Sequence, residues 1–195
     1  PGISDPGEEL VAMCCEAGIE VTSLPGAAAC ITALTLSGLP TRRFAFEAFL
    51  PSDKKERACI LQELKNETRT IILYEAPHRL VKMLEELYAE LGDRKISLCR
   101  ELTKKHETVF RDTLSQAIAW YKENPPKGEC VMVLAGRPRE ELVLEERQKW
   151  ENMSLEEHLA IYEKEGMSRK DAMKQVAKDR GIRKRDVYQA LLNQE

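Results

Sequence analysis

Six consecutive residues, Tyr74-Glu75-Ala76-Pro77-His78-Arg79, put a phenol, a carboxylate, an imidazole and a guanidinium where an apolar run gives way to a helical pattern. Ligands of open α/β sheets bind beyond the carboxyl ends of strands, and the first turn of a helix leaves backbone amides free. Such a mixture can hold a polar ligand or move a proton. Taken alone, His78 reads equally as a cap or a surface residue. A second junction, Arg100-Glu101-Leu102-Thr103-Lys104-Lys105-His106-Glu107, follows another apolar run. Arg100 and Glu101 can orient a site there, and Lys104 and Lys105 can meet phosphates. The same charges also suit a solvated loop. Two turn-rich stretches, Pro1 to Gly7 and Pro25-Gly26-Ala27-Ala28-Ala29, are small enough to admit a ligand close to the backbone, or simply to pack closely.

Metal chemistry has little support. The three histidines are isolated, and Cys14, Cys15, Cys30, Cys59, Cys99 and Cys130 show no C-x-x-C spacing. The cysteines read as buried free thiols of a cytoplasmic protein. No apolar run reaches the ~18 residues of a membrane span, and no secretory signal is visible. Hydrophobic residues make up 43% of the 195 and charged residues 32%, which suits a soluble globular chain with its own core.

The elements that must carry these junctions alternate in type. Glu8 to Ala17 has helical spacing, Ile19 to Leu24 reads as a short strand, and Ala27 to Thr35 as a helix. Phe44 to Phe49, Thr70 to Tyr74, Ile96 to Cys99, His106 to Arg111 and Gly128 to Ala135 read as strands. Lys54 to Lys65 and Leu114 to Lys122 read as helices. A longer helix starts at Pro77 and carries Leu80, Val81, Leu84, Leu87, Tyr88 and Leu91 on one face. The fold class is therefore α/β, a mixed sheet with flanking helices. Residues 138–152 are charged without an apolar stripe and read as a linker. Residues 153–195 form a helical appendage, with a capping box at Ser154/Glu157 and a pair at Ser168/Asp171 that resembles a second one. Its last two helices, Ser168 to Arg180 and Lys184 to Leu192, have helix-turn-helix spacing.

Net charge is −3, but its distribution is uneven. Between Glu140 and Glu165 there are nine acidic and three basic residues; between Gly166 and Arg185, eight basic and two acidic. Arg169, Lys170, Lys174, Lys178, Arg183, Lys184 and Arg185 can contact phosphates or form a solvated face. Only Tyr188 offers a base-stacking ring in that block.

In order and at suitable spacing, SDPG, LPGAAA, YEAPHR, RELTKKHE and KGECVMVLAG resemble the RsmI branch of the tetrapyrrole-methylase superfamily. The block SRKDAMKQVAKDRGIRKRDVY is similar to that branch's helical appendage. The resemblance implies a usually dimeric two-domain enzyme, with S-adenosylmethionine bound between the domains. It implies methylation of a cytidine ribose 2′-hydroxyl in 16S RNA of the small ribosomal subunit. Residues 1–39 would be the remnant of an amino-terminal domain plus the interdomain segment, and 40–137 the second methylase domain. The chain would then be a fragment, inactive by itself. Cofactor contacts fall by resemblance on Ile3, Ser4, Ala28, Ala29, Tyr74, Glu75, Leu102, Cys130 and Val131.

Methyl transfer from a sulfonium is an in-line displacement served by alignment and exclusion of water, without a metal. A base would help a ribose hydroxyl react. Glu101 is the first candidate, then His78 and Glu107, with Arg79 or Arg100 as electrostatic partner. Lys104, Lys105, Lys174, Arg183, Lys184 and Arg185 are the RNA-contact candidates. Two other readings remain open: a porphyrinoid C-methyltransferase of the same fold, and a non-enzymatic helix-turn-helix nucleic-acid-binding protein.

Overall fold

The computed structural model describes residues 2–151 and 153–192. Pro1 of the first turn-rich stretch lies outside them. The chain divides into two compact units, Pro1–Arg137 and Pro138–Glu195.

The first unit is built on a five-stranded sheet. In chain order its elements are α1 (Glu8–Glu16), α2 (Ala29–Ser37), β1 (Phe44–Phe49), α3 (Lys54–Leu64), β2 (Thr70–Glu75), α4 (Leu80–Leu91), β3 (Lys95–Arg100), β4 (Thr108–Thr113), α5 (Leu114–Glu123) and β5 (Cys130–Leu134). The strand order is β1-β2-β5-β3-β4. The β1–β2 pair is parallel and the other three pairs are antiparallel.

Side-chain alternation along the central strands builds two cores. Ile71 and Leu73 of β2, with Met132 and Leu134 of β5, join Leu61, Leu80, Leu84, Leu87 and Leu114 from α3, α4 and α5. Ile72, Val131 and Val133 point the other way and pack with Cys30, Ala33 and Leu34 of α2. Strands buried on both faces must be apolar throughout, and Cys-Val-Met-Val-Leu of β5 is.

Several sequence expectations need correction. Ile19 to Leu24 forms no strand: Ile19 and Leu24 are exposed, and no strand among the described residues pairs with this stretch. Pro77 does not begin a helix. Pro77, His78 and Arg79 form a turn, and α4 starts at Leu80. The β4 strand lies two residues later than its alternation suggests. Only Cys30, Cys99 and Cys130 of the six cysteines are buried, while Cys15 and Cys59 are exposed.

One ion pair in this unit makes a titration visible. The Glu67 carboxylate accepts from the Arg69 amide at 2.7 Å and from its guanidinium at 2.6 and 3.0 Å. The guanidinium hydrogen bond holds it well below the ordinary 4.5, at about 2. A depressed folded-state pKa contributes stability above the unfolded value that is lost as pH falls through the folded one. In denaturant titrations, the stability advantage of the wild type over Glu67→Gln is expected to be full above pH 4.5 and to vanish towards pH 2.

The second unit is helical: α6 (Arg139–Glu151), α7 (Leu155–Lys164), α8 (Arg169–Arg180) and α9 (Lys184–Leu192). The stretch read as a linker is thus mostly helix. What orders α6 is not an apolar stripe. Trp150 stacks on His158 with ring centroids 3.8 Å apart, and the Arg147 guanidinium lies over Gly181. His158 is fully buried, and its Nδ1 accepts from Arg180 Nε at 3.1 Å. Burial, then the Arg180 charge, holds the imidazole below its ordinary pKa, hence neutral. The capping box at Ser154 is complete. Ser168 accepts from the Asp171 amide and donates to its carboxylate. Gly181, left-handed at φ 65°, ends α8.

Among the described residues, no helix is long and apolar enough to cross a membrane, and no group of three His, Cys, Asp or Glu could hold a metal.

Candidate functional site

At one end of the sheet, beyond the carboxyl ends of β1, β2 and β3, six separate segments meet around a cleft of about 230 Å³. Its lining is Ser4, Ala29, Phe49, Tyr74, Glu75, Leu102, Glu129, Cys130 and Val131. The antiparallel register that sets Glu75 opposite Cys130, and Cys130 opposite Arg100, brings these strand ends level.

Tyr74 forms an aromatic corner. Its ring packs edge-on against Phe46 and Phe49, with centroids 5.0 and 5.6 Å away. Its hydroxyl accepts from the Cys30 amide at 3.0 Å, tying the end of β2 to the start of α2. Burial pushes this phenol up to about 12, so it stays protonated. Glu75 is 2% exposed. Its Oε1 accepts from the Ala76 amide at 2.8 Å and lies 3.5 Å from Arg79 Nε. Burial pushes the Cys130 thiol up to about 11, which makes it a neutral wall rather than a nucleophile.

Backbone strain gathers here. Among the described residues, the non-glycine residues with positive φ are Ser4, Ala48, Glu101 and Thr103. Ser4 lines the cleft, Ala48 precedes Phe49 at an irregularity in the β1–β2 register, and Glu101 and Thr103 flank Leu102. Left-handed conformations in such residues persist only where the surroundings hold them, and they cluster at ligand sites.

Glu101 sits beside this lining. Its Oε1 accepts from Lys104 Nζ and from the Glu129 amide, each at 3.2 Å. The Lys104 hydrogen bond holds the carboxyl below its ordinary range. The φ of 81° favours glycine at position 128, and a side chain there would displace the Glu101 carboxylate from its place.

Of the residues singled out in sequence for a cofactor, Ser4, Ala29, Tyr74, Glu75, Leu102, Cys130 and Val131 therefore share one cleft. Ile3 is exposed, and Ala28 packs against the α2 core; neither lines it. His78 is exposed in its turn. Arg79 faces a separate groove with Ser52, Lys54, Arg57 and Lys82. Lys104 reaches Glu129, while Lys105 points to solvent. In the second unit Lys174, Arg183, Lys184 and Arg185 are exposed, and Arg183 Nε lies 3.1 Å from the Asp186 carboxylate. Sequence reasoning missed Phe49 and Glu129. Phe49 ends one strand read from sequence and Glu129 lies near the start of another, so their position was the available signal.

A family model described as tetrapyrrole (corrin/porphyrin) methylases matches residues 1–118. Three curated proteins called ribosomal RNA small subunit methyltransferase I are similar along almost the whole chain. That of Synechocystis sp. is 47% identical over 196 residues, covering 100% of this chain and 68% of its own length. That of Halalkalibacterium halodurans is 46% identical, covering 96% and 64%, and that of Bacillus subtilis 45%, covering 97% and 65%. The chain thus spans about two thirds of the length of these relatives.

Proposed function

The chain belongs to the tetrapyrrole (corrin/porphyrin) methylase family, and from that premise we propose that it serves an S-adenosylmethionine-dependent methyltransferase acting on small-subunit ribosomal RNA. The modified atom is the 2′-oxygen of a cytidine ribose. The observation that carries this reading is the cleft at the strand ends, where segments far apart in sequence converge around a buried carboxylate.

The residues present suit the cofactor. Leu102, Val131 and Phe49 offer apolar walls, and Glu75 offers an acceptor for hydroxyl or amino groups. Small Ala29 lets the start of α2 approach closely. When bound, the cofactor supplies an electrophilic methyl on a sulfonium. This chain's contribution is alignment and exclusion of water. Glu101, held ionised by Lys104, accepts a hydrogen bond from the ribose hydroxyl and orients it. A carboxylate with a depressed pKa is a weak base, so positioning dominates its role. Arg79, 3.5 Å from the Glu75 carboxylate, holds it in place, and the exposed His78 stays outside the reacting atoms.

The test is methyl transfer by the full-length protein from labelled cofactor to small subunits lacking the modification. Label recovered on a cytidine 2′-oxygen, and sharply reduced in Glu101→Gln, is expected. Label on a porphyrinoid instead, with none on subunits, overturns the reading.

RNA docking draws on the exposed basic residues of α8, α9 and the turn between them. Lys184 and Arg185 are better probes than Arg183, which Asp186 already engages. Replacing both by alanine is expected to lower the salt-dependence slope of subunit binding by about 1.5, at roughly 0.7–0.9 per phosphate contact. Cofactor affinity is expected to be unchanged. Filter binding across a salt series reads the slope, and calorimetry reads the cofactor.

A further inference from the structure

A second cleft, of about 430 Å³, lies on the α5 side of the sheet's β4 edge. Its lining is aromatic and cationic: Phe110, Trp120 and Tyr121, with Arg100 and Lys127 at its rim and no carboxylate. Trp120 is 53% exposed, a large apolar cost for a residue that packing alone would turn inward. Its ring stacks on Phe110 at 6.4 Å and 27°, and Tyr121 backs Phe110 edge-on at 5.8 Å. The indole therefore rests on a fixed aromatic base with its outer surface open. The chain's other tryptophan, Trp150, is accounted for by its stack on His158.

The cleft adjoins the cofactor cleft. Lys127 lines one and Glu129 the other, with only Gly128 between them. Arg100 Nη1 donates to the Lys127 carbonyl at 2.7 Å, and its neighbour Glu101 holds the Glu129 amide. Residues 100–101 and 127–129 thus form a wall common to both.

We propose that this cleft is a stacking site for one single-stranded nucleobase of the RNA substrate, with Trp120 as platform and Arg100 and Lys127 meeting the backbone phosphates. The inference rests on the RNA reading above and extends it to a residue set that reading does not use. Aromatic faces beside cations are how proteins take splayed-out RNA bases. The alternative occupant, a second copy of this chain, fits less well. One exposed ring between two cations is far from the ~800 Å² per partner of a stable interface.

The test uses the full-length protein with Trp150→Phe and reads, as the Trp120 signal, the quenching lost when Trp120→Phe is added. A six-nucleotide cytidine oligomer is expected to quench it saturably. Trp120→Ala is expected to raise KM for small subunits at least about 5-fold, with kcat, cofactor affinity and melting temperature unchanged. Trp120→Phe is expected to recover most of the loss. Absence of saturable quenching overturns the proposal, as does an unchanged KM in Trp120→Ala while the wild type methylates subunits. A shift from dimer to monomer on sedimentation, with KM unmoved, also overturns it and marks the cleft as a self-association surface. If the wild type transfers no methyl to subunits, the substrate reading fails by itself, and the quenching result alone decides the stacking site.

Discussion

The Glu75→Ala substitution is expected to weaken S-adenosylmethionine binding about 10- to 100-fold. Glu75 is the acid buried in the floor of the cleft, and both of its protein contacts fall on Oε1. Oε2 is therefore the oxygen offered to a ligand. Hydrogen bonds to a charged group are worth about 1.5–3 kcal/mol, and each 1.4 kcal/mol is tenfold in affinity. The loss has a second component, since Arg79 then stands beside the cleft without its carboxylate. Glu75→Gln separates the two: its amide oxygen can still accept from the Ala76 amide, but the charge is gone. Calorimetric titration of the full-length protein with cofactor reads the effect, and a thermal melt checks the fold. An unchanged affinity in a folded Glu75→Ala protein would remove this carboxylate from the site.

The largest effect on stability is expected from Gly136→Ala. Gly136 follows β5 where the chain crosses the segment entering β2, and Arg137 donates to the Glu67 carbonyl at 2.7 Å. An added Cβ would overlap the Thr68 carbonyl and come 2.5 Å from the Arg69 oxygen. These are backbone atoms at the entry to β2, so no side chain can swing aside. Overpacking that must be relieved by backbone movement costs about 3 kcal/mol, the upper end of the usual range. For a chain of this size that corresponds to a melting temperature roughly 10 °C lower. Gly26→Ala is the control, because nothing lies within 4 Å of its added Cβ. Equal melting temperatures for the two variants would refute the steric account.

The sheet was legible wherever burial dictates residue type. The apolar Thr70–Tyr74 run and the Cys-Val-Met-Val-Leu run are two of the three interior strands, and the leucine face of α4 meets them. Legibility failed where partners decide. Ile19 to Leu24 has strand chemistry, yet pairing needs a neighbouring strand, which no local pattern reports. Residues 139–151 lack an apolar stripe because α6 is anchored by Trp150 on a buried histidine, a contact between distant residues. The same division holds in the candidate site. Junction residues such as Tyr74 and Glu75 stand out by type. Phe49 and Glu129 do not: the β1–β2 register brings Phe49 beside Tyr74, and Glu129 arrives as the residue before β5. His78 drew notice by its chemistry, but a turn leaves it facing water.

The strand order carries a consequence for how this unit comes into being. The last strand to be synthesised, β5, occupies the middle of the sheet, hydrogen-bonded to β2 on one side and β3 on the other. Until Cys130–Leu134 has left the ribosome, the nascent chain can hold only two separate strand pairs, β1–β2 and β3–β4, each with an inner edge unpaired. Exposed edges invite pairing with other chains. Closure is then a single late event that buries Met132, Val133 and Leu134 together. A ribosome stalled before residue 130 should present a protease-sensitive chain, and one stalled well beyond residue 137 a resistant one.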